Sequence, residues 1–369
     1  MNKQDWKRGK IKDICDKASS NIAQNKIVGM NGEYPVFGAS GFVQNVDFYH
    51  RDKPYIGIVK DGSGVGRVNL YPAYSSLLGT LQYIIPKDGN DIGFVSYALQ
   101  SLKLSDFASG SAIPHIYFRD YGECEIPVPP LPTQQRIVAE LDCISGILEK
   151  KRQQLKELDN LAQAIFYDMF GDPVENDKGW EVKKLGEVAP VIVDGVHQKP
   201  NYTETGKPFV SVVNINTGKL KLKDCKYVSE EDFAIMTKKN KAQKGDVLYT
   251  KVGATYGIPA LVDTEVEFAL YVSVCLIKPN HNLINSVFLC EMMRLPFIKE
   301  QANKRIKGIG VPDLHLNQIK EFDVILPPLS LQQQFAKKIE AIERQKALIN
   351  QSIKEVQTLF DCRMEDYFN

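Results

Sequence analysis

Two loops carry the residue types from which a chemical site could be built. Lys60-x-Gly62-x-x-x-Gly66 and Lys251-x-Gly253-x-x-x-Gly257 each set a lysine ahead of two glycines at the same spacing. A phosphate-cradling loop needs a lysine and hydroxyl directly after its last glycine, or the Gly-x-Gly-x-x-Gly spacing between a strand and a helix. Gly62-Ser63-Gly64-Val65-Gly66 has neither, and Gly253-Ala254-Thr255-Tyr256-Gly257 keeps only the outer glycines, so both read as turns. The seven cysteines (Cys15, Cys124, Cys143, Cys225, Cys275, Cys290 and Cys362) never take a Cys-x-x-Cys spacing. They read as reduced thiols of a cytosolic protein, not as a disulfide frame or zinc site. The five histidines are equally dispersed, so no metal site is expected. No paired carboxylates and no nucleophile–base constellation stand out, which argues against an enzyme.

The elements that hold these loops form a repeat. Pro129-Pro130 recurs as Pro327-Pro328, 198 residues on, and at that offset Gln134-Gln135 falls on Gln332-Gln333, Pro114 on Pro312 and Gly110 on Gly308. The glycine loops lie 191 residues apart, and Trp6-x-x-Gly9 resembles Trp180 followed by Leu185-Gly186 at an offset of about 174. The second copy therefore carries about 24 extra residues, placed mostly in the lysine-rich segment 201–232. Each copy is a mixed unit. β-rich runs at 55–59 and 246–250 are bounded by glycines, helical stretches lie at 92–104 and 284–303, and a strand-like run (123–128, 321–326) leads into the proline pair.

Behind each proline pair comes a long helix. Thr133 and Ser330 are the expected N-caps, Ser330 with Gln333 fitting a capping box, and Gly171 with Pro173 stops the first helix. Apolar residues recur at Ile137, Leu141, Ile144, Leu148, Leu155, Leu158, Ala162, Ile165 and Met169, with Lys151 in the gap. This is the 3.5-residue period of a coiled-coil seam. The second seam runs Phe335, Ile339, Ile342, Lys346, Ile349, Ile353, Val356, Phe360, Arg363 and Tyr367. Two homologous seams in one chain most simply pack on each other. Antiparallel packing lets the second unit leave one helix end and re-enter beside it. The expected fold is α+β: two mixed units, 1–131 and 172–329, joined by helices 132–171 and 330–369 in an antiparallel coiled coil, a pseudo-two-fold tandem repeat. At ~1.5 Å per residue the seam spans roughly 48 Å, the length of about fourteen base pairs of duplex.

Composition agrees with a soluble globular chain: 369 residues, enough for two to three domains, 43% hydrophobic and 25% charged. The net charge of +1 excludes a protein that coats nucleic acid along its whole surface; positive charge for such a partner must be local. No apolar run is long enough to span a membrane and residues 1–6 lack a signal core, so a cytoplasmic location is expected.

The doubled Pro-Pro-Leu-x-x-Gln-Gln entry at 129–135 and 327–333, followed by heptads, resembles the specificity (S) subunit of type I restriction–modification systems. Residues 34–41, Tyr-Pro-Val-Phe-Gly-Ala-Ser-Gly, resemble the opening of many target-recognition domains of that family. The resemblance covers the whole chain, which is short for the family. It implies that each unit is a target-recognition domain for one half of a bipartite, asymmetric double-stranded DNA site. It implies that the helices set the spacer and dock two methyltransferase subunits, and that restriction subunits join that core. This subunit would be non-catalytic, in a complex that is a restriction endonuclease and DNA adenine methyltransferase. It would hold no cofactor, with S-adenosylmethionine, ATP and Mg expected in the partner subunits. The chain lacks an Asn-Pro-Pro-aromatic amino-methylation motif, in keeping with that role. A type II-like modification system, or a coiled-coil scaffold that reads no DNA, are the alternatives.

Given that resemblance, DNA contacts are expected from polar and basic residues on the repeated loops. In the first unit these are Lys60, Ser63, Arg67, Ser109, Ser111 and His115. In the second they are Lys251, Thr255, Tyr256, Lys304, Arg305 and Lys307, with Lys199 from the loop His197-Gln198-Lys199. Any one of them could equally be a solvated surface residue, and the repeated glycines could be turns that only keep the fold.

Overall fold

The structure is a computed structural model and describes residues 6–110, 113–223, 225–306 and 310–369. The chain divides into two compact units, Met1–Arg152 with Asn350–Asn369, and Gln153–Ile349. The boundaries fall inside the two long helices, Leu131–Phe170 and Leu329–Phe368, so each unit takes in half of each helix.

The units share one topology. In the first, Cys15–Ser19, Leu81–Pro86, Tyr55–Val59 and Val68–Tyr71 form an antiparallel sheet in that spatial order. A second sheet sets Tyr34–Gly38 between Gly41–Val46 (antiparallel) and Ser76–Leu77 (parallel). In the second unit the same places are taken by Val191–Asp194, Val274–Lys278, Val247–Thr250 and Pro259–Leu261, and by Lys207–Val210 between Lys226–Val228 and Ala269–Leu270. Strand Tyr55–Val59 is buried along its whole length, as a continuous apolar run requires. In each unit the first and last strands pair antiparallel, Lys7–Lys10 with Glu125–Val128 and Glu181–Lys184 with Asp323–Leu326. That pairing brings the entry of each unit beside the start of its long helix. The extra residues of the second unit lie in two places. A connection that includes residues 211–223 replaces the tight turn at Ala39 and Ser40, and a longer connection holding the helix Glu230–Thr237 precedes Val247.

The long helices begin one residue earlier than expected. The carbonyl of Pro130 accepts from the backbone N–H of Thr133 and Gln134, and that of Pro328 from Leu331 and Gln332. The second proline of each pair is thus the N-cap, and Thr133 and Ser330 lie within the first turn, with no capping box at Ser330. A proline is tolerated in that turn because its missing N–H would be unsatisfied anyway. Gly171, at φ 74°, closes the first helix, its N–H donating to the Tyr167 carbonyl.

The glutamine of the doubled motif is buried. Gln134 donates to the Pro129 carbonyl (2.9 Å) and accepts from the Asp91 N–H (2.8 Å). Gln332 donates to the carbonyls of Pro327 (2.8 Å) and Leu283 (3.1 Å) and accepts from the Asn285 N–H (2.8 Å). Asp91 and Asn285 are the N-caps of Ile92–Ser101 and Ser286–Arg294. One side chain therefore clamps the start of each long helix to the cap of its unit's own helix.

In each unit the helix segments run antiparallel. Glu140 meets Arg363 (3.0 Å) and Tyr367 (2.7 Å) in the first unit. In the second, Asp159 meets Lys346 (2.5 Å) and the Phe170 ring lies 5.3 Å from Phe335. Ile137, Leu141, Ile144, Leu148, Phe335, Ile339 and Ile342 are buried, whereas Leu155, Leu158, Ile349, Ile353 and Val356 are half-buried. At the end of the first helix the expected Ile165 and Met169 are only half-buried, and Phe166 and Phe170 take the core positions. The heptad pattern gives way there because the helix packs into its unit: Phe166 stacks on Phe288 at 5.7 Å. Phe368 repeats Phe170 and packs on Phe94 at 5.2 Å. Lys346 interrupts the seam yet is paired on both sides, with Glu343 at 2.7 Å as well as Asp159. Burial opposes its charge, but the two carboxylates hold the ammonium above the ordinary lysine range.

Candidate nucleic-acid interface

The glycine loops rest on the same hydrogen bonds in both units. Gly62 N–H donates to Pro114 O and Gly253 N–H to Pro312 O, each at 2.9 Å. Ile116 N–H donates to Lys60 O and Leu314 N–H to Lys251 O. Gly66 N–H donates to Val59 O and Gly257 N–H to Thr250 O. Gly62, Gly64 and Gly66 have φ of 79°, 88° and 86°, and Gly253 and Gly257 have φ of 88° and 87°, a region that side chains rarely enter. The loops are fold-keeping turns, and they bring loop 60–67 against residues 113–116 and Ser109, as 251–257 against 310–315.

The side chains on this common frame differ. In the first unit His115 Nδ1 pairs with Asp61, whose other oxygen lies 3.9 Å from Lys60 Nζ. The His115 ring lies 4.2 Å from that of Tyr117, and the Arg119 guanidinium sits 4.6 Å over Tyr117. Ser109 pairs backbone to backbone with His115 and is exposed. Ser63 is exposed, and Arg67, also exposed, donates to the carbonyls of Ser63 and Gly64. Ser111 lies outside the described residues.

In the second unit Lys251 is buried, 3.6 Å from Asp194 and 3.5 Å from Asp313, so its charge serves two carboxylates of the fold. Burial raises the Asp194 carboxyl above the usual range although Lys251 and His197 pull it down. Thr255 is exposed and its carbonyl accepts from Thr250 Oγ1. Tyr256 donates to Asn303 (2.6 Å), and Lys299 Nζ sits 3.3 Å from the centre of its ring. Arg305 donates to the carbonyls of Gln301, in its own helix, and of Glu321, both at 2.9 Å. Lys304 is exposed; Lys307 lies outside the described residues. Lys199 is exposed and stands 6.0 Å from the Tyr202 ring, which Lys226 also approaches at 4.4 Å. An aromatic flanked by two cations suits a phosphate-bearing partner.

Sequence reasoning missed Tyr117 and Arg119, whose signal was their place two and four residues after His115. It also missed Tyr202 and Lys226, which are brought together by the bridge between Thr203 and Tyr227. Four of the free cysteines are buried, and burial pushes the thiols of Cys15 and Cys290 up to about 12 and about 11. Among the described residues no His, Cys, Asp and Glu group is placed to hold a metal ion, and no helix is long and apolar enough to cross a membrane.

A family model described as "Type I restriction modification DNA specificity domain" matches residues 3–159 and 177–358. The type I restriction enzyme MjaIX specificity subunit of Methanocaldococcus jannaschii is 24% identical over 90% of this chain and 85% of its own. The MjaVIII specificity subunit of the same organism is 21% identical over 72% and 68%. The fold is similar to a crystal structure of a type I restriction–modification S subunit from M. genitalium, with TM-score 0.61 and 17% identity over 99% and 96% of the two chains. A chain from a structure of type I restriction–modification complex assembly and conformational transition matches with TM-score 0.53 and 17% identity over 98% and 97%.

Proposed function

The chain belongs to the type I restriction–modification DNA specificity family, and from that premise we propose that its two units are target-recognition domains, each reading one half of a bipartite, asymmetric duplex site. The observation that carries this reading is the common loop frame with unlike side chains. Lys60, Asp61, His115, Tyr117 and Arg119 occupy it in one unit, and Lys251, Asp194, Asp313 and Tyr256 in the other. One scaffold with two surfaces suits two different half-sites. Phosphate contacts would come from exposed cations such as Lys199, Lys226, Lys304 and Arg119, and base-edge contacts from the polar residues of the loops. The long helices would fix the spacer. The chain itself would do no chemistry; S-adenosylmethionine, and ATP with Mg, would belong to methyltransferase and restriction subunits in the cytoplasm. The test is the methylated motif in genomic DNA from cells with and without this chain. A bipartite motif should vanish with it; an unchanged pattern of methylation would overturn the reading.

Two methyltransferase subunits would dock on the helices. Leu161 and Leu359 are 198 residues apart, equivalent in the repeat, and 45% and 46% exposed. Large apolar side chains left open at matching positions suit two copies of one partner. Leu161→Glu or Leu359→Glu alone should leave complexes with one methyltransferase subunit where the parent has two, through about tenfold weaker binding at one site. Native mass spectrometry would read this, and two subunits retained in both variants would place the docking site elsewhere.

A further inference from the structure

Tyr74 has φ 54°, in the left-handed region, and is 53% exposed. A bulky side chain in that conformation is an outlier that persists only where its surroundings impose it. Here they do. Its neighbour Ser75 is fully buried; its hydroxyl bonds Tyr55 (2.7 Å) and the Pro72 carbonyl (2.6 Å). Ser75 also exchanges backbone hydrogen bonds with Arg51 in both directions, and its carbonyl accepts a further one from the His50 N–H. The turn is thus fastened beside a tyrosine that itself stays about half exposed.

What the strain does is to stand the ring at the end of an aromatic row. Tyr74 lies edge-on to Tyr49 at 5.2 Å, and Tyr49 edge-on to Tyr34 at 4.9 Å; Tyr49 is itself 41% exposed. Beside the turn is a cation without a counter-charge. Arg51 sits 5.0 Å over the Tyr83 ring, makes no ion pair among the described residues, and its buried Nε has no hydrogen-bond partner. The Arg51 backbone pairs with Ser75, so exposed rings and a guanidinium with no ion pair among the described residues share one turn, and together they match a ligand that offers flat apolar faces and phosphate.

We propose that Tyr74, carried on Tyr49 and flanked by Arg51, is the residue of the first unit that packs against a base step of its DNA half-site, with Arg51 meeting an adjoining phosphate. This rests on the assignment of the unit as a target-recognition domain and goes beyond it by adding a reading position outside the glycine loops.

Tyr74→Gly separates this role from a structural one, because glycine accepts positive φ without strain and the fold should be kept or strengthened. Tyr74→Asn, also at ease in that region, is the second variant. Each would be assembled with the methyltransferase subunits and titrated with duplexes carrying the parent motif, then with duplexes altered at single positions. Affinity should fall about tenfold, the size of one lost ring contact. Discrimination should relax at one or two neighbouring positions of one half-site, the other half-site staying as it was. Unchanged affinity and discrimination in both variants would overturn the proposal, as would loss of methyltransferase binding in place of DNA binding. Failure of the parent complex to prefer its motif would instead remove the target-recognition assignment itself.

Discussion

Removing seven residues from each long helix, 150–156 and the facing 349–355, should shorten the DNA spacer by about three base pairs and leave both half-sites unaltered. Seven residues are close to two turns and about 10 Å of helix, and a base pair takes ~3.4 Å. The deletion rotates the remainder of each helix by only about 20°, so the apolar face keeps its phase. The seam residues of this segment, Leu155, Ile349 and Ile353, are half-buried rather than part of a closed core. Removing two residues from each helix is the contrast: the rotation is then about 200°, which turns the seam to solvent, and assembly should fail. Sequencing the methylated motif of cells carrying each variant gives the answer. A changed half-site sequence, or a spacer that stays the same length, would count against the helices as the ruler.

Gln332→Leu should be among the most damaging single substitutions in the chain. Leucine has similar volume but leaves Pro327 O, Leu283 O and Asn285 N without the partners they have now. Each buried backbone group without a partner costs about 1–3 kcal/mol, so a loss of about 3–5 kcal/mol is expected after partial relaxation. Gln134→Leu orphans only Pro129 O and Asp91 N and should cost less, about 2–3 kcal/mol. Urea unfolding of the purified variants would measure both. Near-neutral values, or the reverse order, would show that the clamp is not what joins each long helix to its unit.

The doubled motif shows how far the sequence could be followed. Proline pairs, heptads and glycines are local patterns, so the tandem repeat, the mixed character of each unit and the two helices were legible from residue types and spacing. The N-caps were misjudged by three residues and two because a hydroxyl at 133 or 330 looks like a cap, while the acceptor is the carbonyl of Pro130 or Pro328, which every residue type has. The glutamines stood out only as repeated letters. Their partners lie 43 to 49 residues away for Asp91, Leu283 and Asn285, beyond any local pattern.

The same holds at the candidate interface. Lys60 and Lys251 are identical in the sequence and sit on identical turns. Only the approach of Asp194 and Asp313 decides that Lys251 is enclosed, while Lys60 faces Asp61 near the surface. Arg305 looked like part of a basic patch, and the structure adds that it also donates to the carbonyls of Gln301 in its own helix and of Glu321. Tyr202 has Lys199 three residues before it but gains Lys226 through the bridge of Thr203 with Tyr227, and the left-handed turn at Tyr74 exists because Ser75 is held by Tyr55 and Arg51. The sequence by itself determined periodicity, repetition and the absence of known catalytic motifs, because these are properties of neighbouring residues. Tertiary structure decided which charges are free, which are spent and which ring is held out to solvent. Burial and pairing are set by groups far apart in the chain.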